Sequence, residues 1–275
     1  MSYETIQVKP LTPSIGAMIE DIDLSRGLSN QAFNEIHDAL MVHQVIFFRD
    51  QEISLEQQKD LGRKFGDLHI HPGSPGLEGH PEILIIHADE SSKSVAGEKW
   101  HSDVSCDEEP PMGSILHLTT VPENGGDTLF ASMYAAYDAL SALMQVFLAK
   151  LTAVHDGEHV YRGSYADRGV DDSGKVYPRA EHPVVRTHPV TGRKALYVNC
   201  IFTTHIPQLT RAESDVLLRF LWQHAEQPLF QCRFSWEKNS IAFWDNRCVQ
   251  HHAMWDYYPN VRSGFRVTVK GDRPV

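Results

Sequence analysis

Several features that mark well-known protein classes are absent from this chain of 275 residues. Its four cysteines, Cys106, Cys200, Cys232 and Cys248, are scattered, with no CxxC pair to predict a zinc site or a disulfide framework. The chain also lacks the GxGxxG motif that is typical of dinucleotide-binding domains. No apolar run approaches a membrane span, and the opening MSYETIQVKPL has no signal-peptide core. We therefore expect a soluble, cytoplasmic protein with free thiols.

Positive charge is also scarce. The chain has 25 Lys and Arg against 36 Asp and Glu, a formal net charge of −11, which argues against nucleic acid or an anionic membrane as a partner. No repeat, low-complexity run or long linker divides it. We predict a single domain over residues 1–275, with the polar segment 163–181, RGSYADRGVDDSGKVYPRA, as a surface loop or a lid.

Short strand patterns outnumber helical ones. Apolar or alternating runs predict strands over 44–50, 82–89, 114–121 and 265–271, and FQCRFSWE and IAFWDNR resemble the two arms of a hairpin. Helical spacing predicts helices over 30–42, from 54 toward 65, over 132–151 and from 210 onward. The mixture favours a β-sandwich or jelly-roll core with helices packed outside it.

The stretch KWHSDVS places His101 and Asp103 two positions apart, so in a strand they face the same side. WDNRCVQHHAMWDYYP offers a third ligand from a distant strand, either His251 or His252, since neighbours on a strand face opposite ways. Two histidines and one carboxylate on one face of an octahedron form the facial triad of non-haem Fe(II) oxygenases, which leaves three positions open. A polar strand edge is the alternative interpretation of His-x-Asp.

Two arginines follow this segment. Arg262 and Arg266 are four residues apart and would share one face of a strand. Arginine suits bidentate binding of a planar carboxylate, so two of them at one site would suit two anionic ligands. The alternative is a pair of surface arginines on an edge strand.

Taken together, HQVIFFRDQ, FGDLHIHP, WHSDVS, GGDTLF, HPVVRTHPVTGRKALYVN, WDNRCVQHHA and RSGFRVTVKGDRP resemble the taurine/α-ketoglutarate dioxygenase family, from about Ile6 to Pro274. The resemblance implies a double-stranded β-helix, a cupin-like jelly-roll variant. It also implies Fe(II), α-ketoglutarate as cosubstrate, and O₂. By the same resemblance, the metal ligands are His101, Asp103 and His251, and Thr128 and Arg262 bind the distal carboxylate of α-ketoglutarate.

On the substrate side, the resemblance makes His71 and Arg266 the partners of a substrate anion and Phe202 an aromatic wall. The chain departs from the taurine enzymes at Ser74, where they have an aromatic residue, and in SVAGEK before the WHSD motif. We expect a small anionic substrate, first a sulfonate such as taurine with release of sulfite, while α-ketoglutarate becomes succinate and CO₂. An aryloxyalkanoate or an alkyl sulfate ester is the alternative. The family also suggests a homodimer or homotetramer.

Two other classes of function remain open at this point. A metal-dependent hydrolase could use the same three ligands with Zn²⁺ and an activated water, but it would give Arg262 and Thr128 no role. A non-catalytic jelly-roll binding protein could keep the shape alone, although none of the three predicted ligands is missing from this chain.

Overall fold

Strands hold more residues than helices in the computed structural model, which describes residues 3–74, 76–164, 166 and 171–275. The strands in these ranges are β1 (Gln7–Pro10), β2 (Ala17–Glu20), β3 (Val45–Phe48), β4 (Ile83–Ala88), β5 (Gly113–Thr120), β6 (Thr128–Ser132), β7 (Thr152–Asp156), β8 (Arg179–Pro183), β9 (Val185–Thr187), β10 (Lys194–Leu196), β11 (Thr203–His205), β12 (Gln231–Phe234), β13 (Ser240–Asp245), β14 (Val249–Ala253) and β15 (Arg262–Val269). The helices are α1 (Asn30–His43), α2 (Leu55–Arg63), α3 (Met133–Asp138), α4 (Ala142–Leu148), α5 (Glu158–Tyr161) and α6 (Arg211–Ala225). The expectation of a mainly β protein with flanking helices is confirmed.

The longer helices begin at the side-chain caps that the sequence predicts. Ser29 accepts a hydrogen bond from the backbone of Ala32 at the start of α1. Ser54 with Gln57, and Thr210 with Glu213, form complete capping boxes before α2 and α6. These caps satisfy backbone N–H groups that the first helical turn leaves unpaired.

The predicted helix over 132–151 is two helices. α3 ends at Asp138, and α4 begins after Ser141, whose hydroxyl accepts from the backbone N–H of Met144. A cap of this kind fixes extended backbone at the capping residue, so it ends one helix as it starts the next. The prediction of one continuous helix is therefore wrong.

A large sheet and a small sheet face each other. The large one has the strand order β1-β2-β3-β13-β5-β15-β4, and the small one has the order β12-β6-β14. Phe47 of β3 stacks on Phe234 of β12 with ring centroids 4.0 Å apart and meets Phe130 of β6 at 5.4 Å. The main hydrophobic core therefore lies between these two sheets.

The predicted hairpin between β12 and β13 is wrong. β12 pairs with β6 in the small sheet, whereas β13 lies between β3 and β5 in the large sheet. Residues 235–239 thus cross from one sheet to the other. Two apolar strands joined by a short polar segment look alike in sequence, whether they pair with each other or face each other across a core.

Two further small sheets, β11-β7-β8 and β9-β10, pack onto the same core through Ala153, Val185, Ala195 and Leu196. β8 begins at Arg179, so the predicted loop 163–181 is wrong in its last three residues, while 165 and 167–170 lie outside the described residues. Arg162 donates to the carbonyls of Asp172 (2.7 Å) and Lys175 (2.6 Å), which fastens this segment to the end of α5. Within the described ranges, no helix is both long and apolar enough to cross a bilayer.

Candidate active site

A cavity of about 540 Å³ lies between the large and small sheets. The large sheet contributes side chains from β4, β5, β13 and β15, and the small sheet contributes β6 and β14. Every site residue that the sequence predicts lines this one cavity: His71, His101, Asp103, Thr128, Phe202, His251, Arg262 and Arg266. The fold thus brings together residues that are spread along the chain from position 71 to position 266.

His101, Asp103 and His251 form a buried cluster whose ligand atoms all lie within 4.8 Å of one another. The two histidines face each other across a pair of backbone hydrogen bonds, His101 N to His251 O (3.2 Å) and His251 N to His101 O (2.9 Å). Oδ1 of Asp103 is 3.6 Å from Nε2 of His101 and 3.9 Å from Nε2 of His251. One ion with bonds of about 2 Å to nitrogen and oxygen ligands can span such separations.

Hydrogen bonds from neighbouring residues orient two of these ligand atoms toward the cavity. Nδ1 of His101 donates to the carbonyl of Lys99 at 2.7 Å, so its Nε2 keeps a free lone pair. Oδ2 of Asp103 accepts from the Ser114 hydroxyl at 2.7 Å, which leaves Oδ1 toward the histidines. Asn246 accepts from the backbone N–H of Asp103 at 3.2 Å. Such outer bonds are a regular feature of metal sites, because they fix the tautomer and orientation of each ligand.

The structure separates His251 from its neighbour His252. His251 is 6% exposed and burial lowers its pKa well below the ordinary value, so its imidazole is neutral, the form that binds metals. His252 points to the other side of β14, where its ring lies 5.5 Å from that of Trp100. Alternation along the strand therefore brings only His251 to the cluster.

Arg266 stands beside the same carboxylate. Its Nη1 donates to Oδ1 of Asp103 at 2.7 Å, and its Nε has no partner among the described residues. Burial alone would raise the pKa of Asp103, but the Arg266 guanidinium holds that pKa well below its ordinary value. Asp103 is therefore an ionised carboxylate at any physiological pH.

Arg262 lies at the other end of the cavity and is 4% exposed. Its Nε donates to the carbonyl of Gly126 (3.0 Å) and its Nη2 to the hydroxyl of Thr128 (3.4 Å). No carboxylate within the described ranges forms an ion pair with it. Burial lowers the pKa of Arg262, but arginine ionises so far above neutrality that the charge remains. A buried guanidinium without a carboxylate partner calls for an anionic ligand.

Thr128 completes this end of the cavity. Its hydroxyl oxygen accepts from Nε1 of Trp236 at 3.0 Å as well as from Arg262. Since both lone pairs are used, the hydroxyl hydrogen is left to donate to a ligand. Thr128 and Arg262 thus offer converging donors that suit one carboxylate.

His71 offers a neutral donor to the cavity. Its Nδ1 accepts from the backbone N–H groups of Gly73 and Ser74, each at 3.0 Å, so the ring hydrogen is on Nε2. Burial, followed by the charge of Arg266, lowers the pKa of His71 to about 3. The ring packs edge-on against Tyr161 at 5.2 Å.

The remaining wall of the cavity is mostly apolar. Phe202 is 3% exposed, Val160 and Ile201 pack against its cluster, and Val95 also lines the cavity. Asp103 and Glu98 are the two carboxylates among the described lining residues, and Glu98 is exposed to solvent.

Other buried acidic residues are engaged elsewhere. Asp127 binds Arg233 and Ser235 rather than the cavity. Asp245, His188 and Cys248 form a second cluster with metal-ligand atoms, but Asp245 already accepts from Arg247 and His188. Nδ1 of His188 also accepts, from the backbone N–H groups of residues 190 and 191. This second cluster is therefore a satisfied hydrogen-bond network with no free ligand atom on its histidine.

Sequence reasoning gave no role to Ser114, although its hydroxyl orients Asp103. Serine has no characteristic spacing in a metal motif, and Ser114 lies at the start of an ordinary strand pattern. Its register opposite Trp244 of β13 decides its role, and that register appears only in the folded sheet.

Comparisons with known proteins find similar sequences and structures over nearly the whole chain. The model of the taurine catabolism dioxygenase TauD, TfdA family matches residues 7–268. The chain is 38% identical to an α-ketoglutarate-dependent sulfonate dioxygenase of Saccharomyces cerevisiae, over 98% of this chain and 68% of the relative. It is 34% identical to an α-ketoglutarate-dependent sulfate ester dioxygenase of Pseudomonas putida, over 98% and 91%. A crystal structure of a taurine dioxygenase from Burkholderia xenovorans superposes with a TM-score of 0.85 at 36% identity, covering 99% of this chain and 93% of that one.

Proposed function

The chain belongs to the TauD/TfdA family of dioxygenases, and from that membership we propose that it oxidises a small organic sulfonate or sulfate ester. Like the other members of this family, it is a non-haem iron enzyme that depends on α-ketoglutarate and O₂. A hydrolase and a non-catalytic binding protein are set aside by this membership. The proposal therefore concerns which residues hold each component and which anion is oxidised.

His101, Asp103 and His251 would hold the Fe(II). The cluster is buried, two of its ligand atoms are oriented by hydrogen bonds, and the imidazole of His251 is neutral. Three protein ligands leave room for a bidentate cosubstrate and for O₂. When bound, the iron supplies the O₂ chemistry that couples decarboxylation of α-ketoglutarate to oxidation of a substrate carbon.

Arg262 and Thr128 would bind the distal carboxylate of α-ketoglutarate. The observation that supports this assignment is the buried charge of Arg262 without an acidic partner in the described chain. A bidentate guanidinium–carboxylate pair would satisfy it and orient the cosubstrate toward the cluster.

Arg266 and His71 would bind the substrate anion, and this pair carries the choice of substrate class. Both line the cavity on the side of Asp103, where the guanidinium of Arg266 supplies a positive charge and N–H donors and His71 supplies its Nε2–H. A sulfonate or sulfate group has three outer oxygens and can accept from both donors at once. Because His71 is neutral, it adds direction to the site without adding a second charge.

The rest of the substrate would be an uncharged tail rather than the ammonium of taurine. Val95, Val160, Ile201 and Phe202 line the wall where the tail would lie, and burial of apolar groups there favours binding. Among the described lining residues, Glu98 is the one carboxylate besides Asp103 that could meet an ammonium, and it is exposed, where an ion pair contributes little.

The chain's own part in the reaction is placement and exclusion of water. Arg266 and His71 would fix the anion at one end, so the adjacent carbon lies next to the metal cluster. The apolar wall would hold the tail and keep water from that carbon. The carbon to be hydroxylated is bonded to the sulfur of a sulfonate or to the ester oxygen of a sulfate ester. The hydroxylated product collapses to a carbonyl compound and releases sulfite or sulfate, respectively.

We also propose that the two facing sheets form one double-stranded β-helix, or jelly roll, within a single domain over residues 1–275. The large and small sheets share one hydrophobic core, which supports this view. A single domain should unfold in one cooperative step. Urea unfolding followed by circular dichroism and by tryptophan fluorescence should give one coincident transition; two separated transitions would contradict a single domain.

The test of the substrate class is a turnover screen. Purified enzyme with Fe(II), α-ketoglutarate and O₂ is given taurine, pentanesulfonate, hexyl sulfate or phenoxyacetate, and succinate and released sulfite or sulfate are measured. We expect pentanesulfonate or hexyl sulfate to give the highest kcat/KM and taurine a lower one. Phenoxyacetate as the best substrate would overturn the sulfur-anion assignment. Taurine as the best substrate, with a loss in Glu98→Gln, would overturn the uncharged tail.

A further inference from the structure

One turn of the chain, residues 199–202, contacts both flanks of the WHSD motif. On one side, Sγ of Cys200 donates to the carbonyl of Trp100 at 3.3 Å, directly before His101. On the other side, Nδ2 of Asn199 donates to the hydroxyl of Ser105 at 2.9 Å, two residues after Asp103. The two contacts bracket two of the proposed metal ligands.

The same turn forms part of the cavity wall. Asn199 is 2% exposed, and its Oδ1 accepts from the backbone N–H groups of Ile201 (3.2 Å) and Phe202 (2.9 Å). Its own N–H donates to the hydroxyl of Thr203 at 2.9 Å. Residues 100–105, which include the proposed metal ligands His101 and Asp103, are called the metal segment here. The Asn199 amide thus fixes the wall through its oxygen and binds the metal segment through its nitrogen.

The metal segment needs such support, because its backbone is strained. Val104, directly after Asp103, has φ +48°, a conformation that is costly for a β-branched residue. Strain of this kind persists only where surrounding contacts impose it. Ser105 supplies two of these contacts, since its hydroxyl meets Nδ1 of His155 at 2.9 Å as well as Asn199.

Hydrophobic packing joins the two parts as well. Val104 and Phe202 belong to one small cluster with Cys106, Tyr161 and Tyr177, apart from the two larger cores. The strained turn and the wall therefore share one hydrophobic cluster, and the Asn199–Ser105 hydrogen bond links them as well.

We propose that Asn199 is a positioning residue that sets the distance between the substrate wall and the metal segment. The inference rests on the proposed function, in which Phe202 and Ile201 hold the substrate tail and Asp103 holds the iron. A substrate seated on the wall is then placed relative to the metal by one buried amide. Loss of that bond lets the two parts shift independently, and decarboxylation of α-ketoglutarate proceeds without oxidation of the substrate.

Two variants test the bridge. Ser105→Ala removes the hydroxyl that contacts both Asn199 and His155 and keeps the hydrogen bonds within the 199–202 turn. Asn199→Ala keeps the Ser105–His155 contact and removes both the bond to Ser105 and the bonds of the Asn199 oxygen within the turn. We expect both to bind Co(II) about tenfold more weakly, as loss of outer-shell bonds does at other metal sites. We also expect about three times more succinate per oxidised product, because a misplaced substrate is not attacked.

Ser214→Ala is the matched control. Ser214 is equally buried and its hydroxyl accepts from the backbone N–H of Ile206 at 2.9 Å, but it lies on α6, away from the cavity lining. It should lose stability to urea as the test variants do, with Co(II) affinity and the product ratio as in wild type. A Ser105→Ala variant with wild-type Co(II) affinity and wild-type product ratio would overturn the proposal, whatever its stability.

The two proposals fail in different ways. If wild type oxidises no sulfonate or sulfate ester, the proposed substrate class is wrong. The Co(II) affinity of Ser105→Ala still tests whether the Asn199–Ser105 hydrogen bond positions the metal segment. If wild type oxidises them and Ser105→Ala keeps both readouts, the bridge is wrong and the substrate class stands.

Discussion

Nη1 of Arg266 lies 2.7 Å from Oδ1 of Asp103, the oxygen that also faces the Nε2 atoms of His101 and His251. A metal ion and the guanidinium would therefore share one carboxylate oxygen. Arg266 is thus adjacent to the proposed metal site, and an anion bound to it would lie within reach of the metal.

The first prediction concerns this arginine. Arg266→Ala should weaken binding of the best sulfonate or sulfate ester by about 30-fold or more, since loss of one partner of a buried charge pair costs about 2–5 kcal/mol. The α-ketoglutarate requirement should change much less. Both affinities can be read from the visible absorption of the anaerobic Fe(II)–α-ketoglutarate complex with and without substrate. Equal losses in the two affinities would contradict a separate substrate role.

Arg262→Ala should show the opposite pattern. A buried guanidinium–carboxylate pair broken on one side costs about 3–5 kcal/mol, so the α-ketoglutarate requirement should rise by about two orders of magnitude or more. Arg262→Lys keeps the charge without the bidentate geometry and should lie between wild type and Arg262→Ala. An unchanged requirement in Arg262→Ala would remove this residue from the cosubstrate site.

The metal ligands can be tested without turnover. His101→Ala, Asp103→Ala and His251→Ala should each lose stoichiometric Co(II) binding, since each removes one of three protein ligands. His252→Ala should bind Co(II) as wild type does, because its ring packs against Trp100 away from the cluster. The measurement is metal content after gel filtration. Loss of Co(II) in His252→Ala with retention in His251→Ala would reverse the assignment.

Gly97 makes a fourth prediction. Its φ is +86°, and a Cβ there would lie 3.2 Å from Cε1 of His101. Gly97→Ala should therefore displace the His101 ring and lower Co(II) affinity, beyond a backbone strain of about 1–2 kcal/mol. Gly192→Ala is the control, with φ +70° and no atom within 4 Å of the added Cβ. It should lose similar stability with unchanged metal affinity; equal metal affinity in the two variants would show that the Gly97 contact is harmless.

The fifth prediction concerns stability and pH. Burial, with the neighbouring His182, lowers the pKa of His155 to about 3 in the folded chain. Between that value and the ordinary value near 6.5, the unfolded chain binds a proton that the folded chain does not, so stability falls as pH falls. From pH 7.5 to 5.5 this one histidine should remove about 1.4 kcal/mol.

Urea unfolding of wild type and His155→Gln at both pH values measures that loss. The variant should lose about 1.4 kcal/mol less than wild type over the interval. The same pH dependence in His155→Gln and wild type would show that His155 does not cause this loss of unfolding free energy.

Local sequence determined the helix starts and most strands, because these depend on neighbours in the chain. Ser54 with Gln57 and Thr210 with Glu213 predict capped helices, and both form. The helix over 132–151 was predicted as one because the cap at Ser141 lies inside an otherwise helical pattern. The hairpin of β12 and β13 was wrong because pairing partners are chosen by long-range packing.

For the site, the sequence by itself supplied the chemistry: a His-x-Asp pair, a histidine pair far along the chain, and two arginines on one face of a strand. The tertiary structure decided which of these groups meet and how each atom is directed. His251 rather than His252 reaches the cluster, Ser114 orients Asp103, and Asn199 joins the wall to the metal segment. These contacts join residues 11 to 150 positions apart, and only sheet register and core packing bring them within hydrogen-bond or ligand distance.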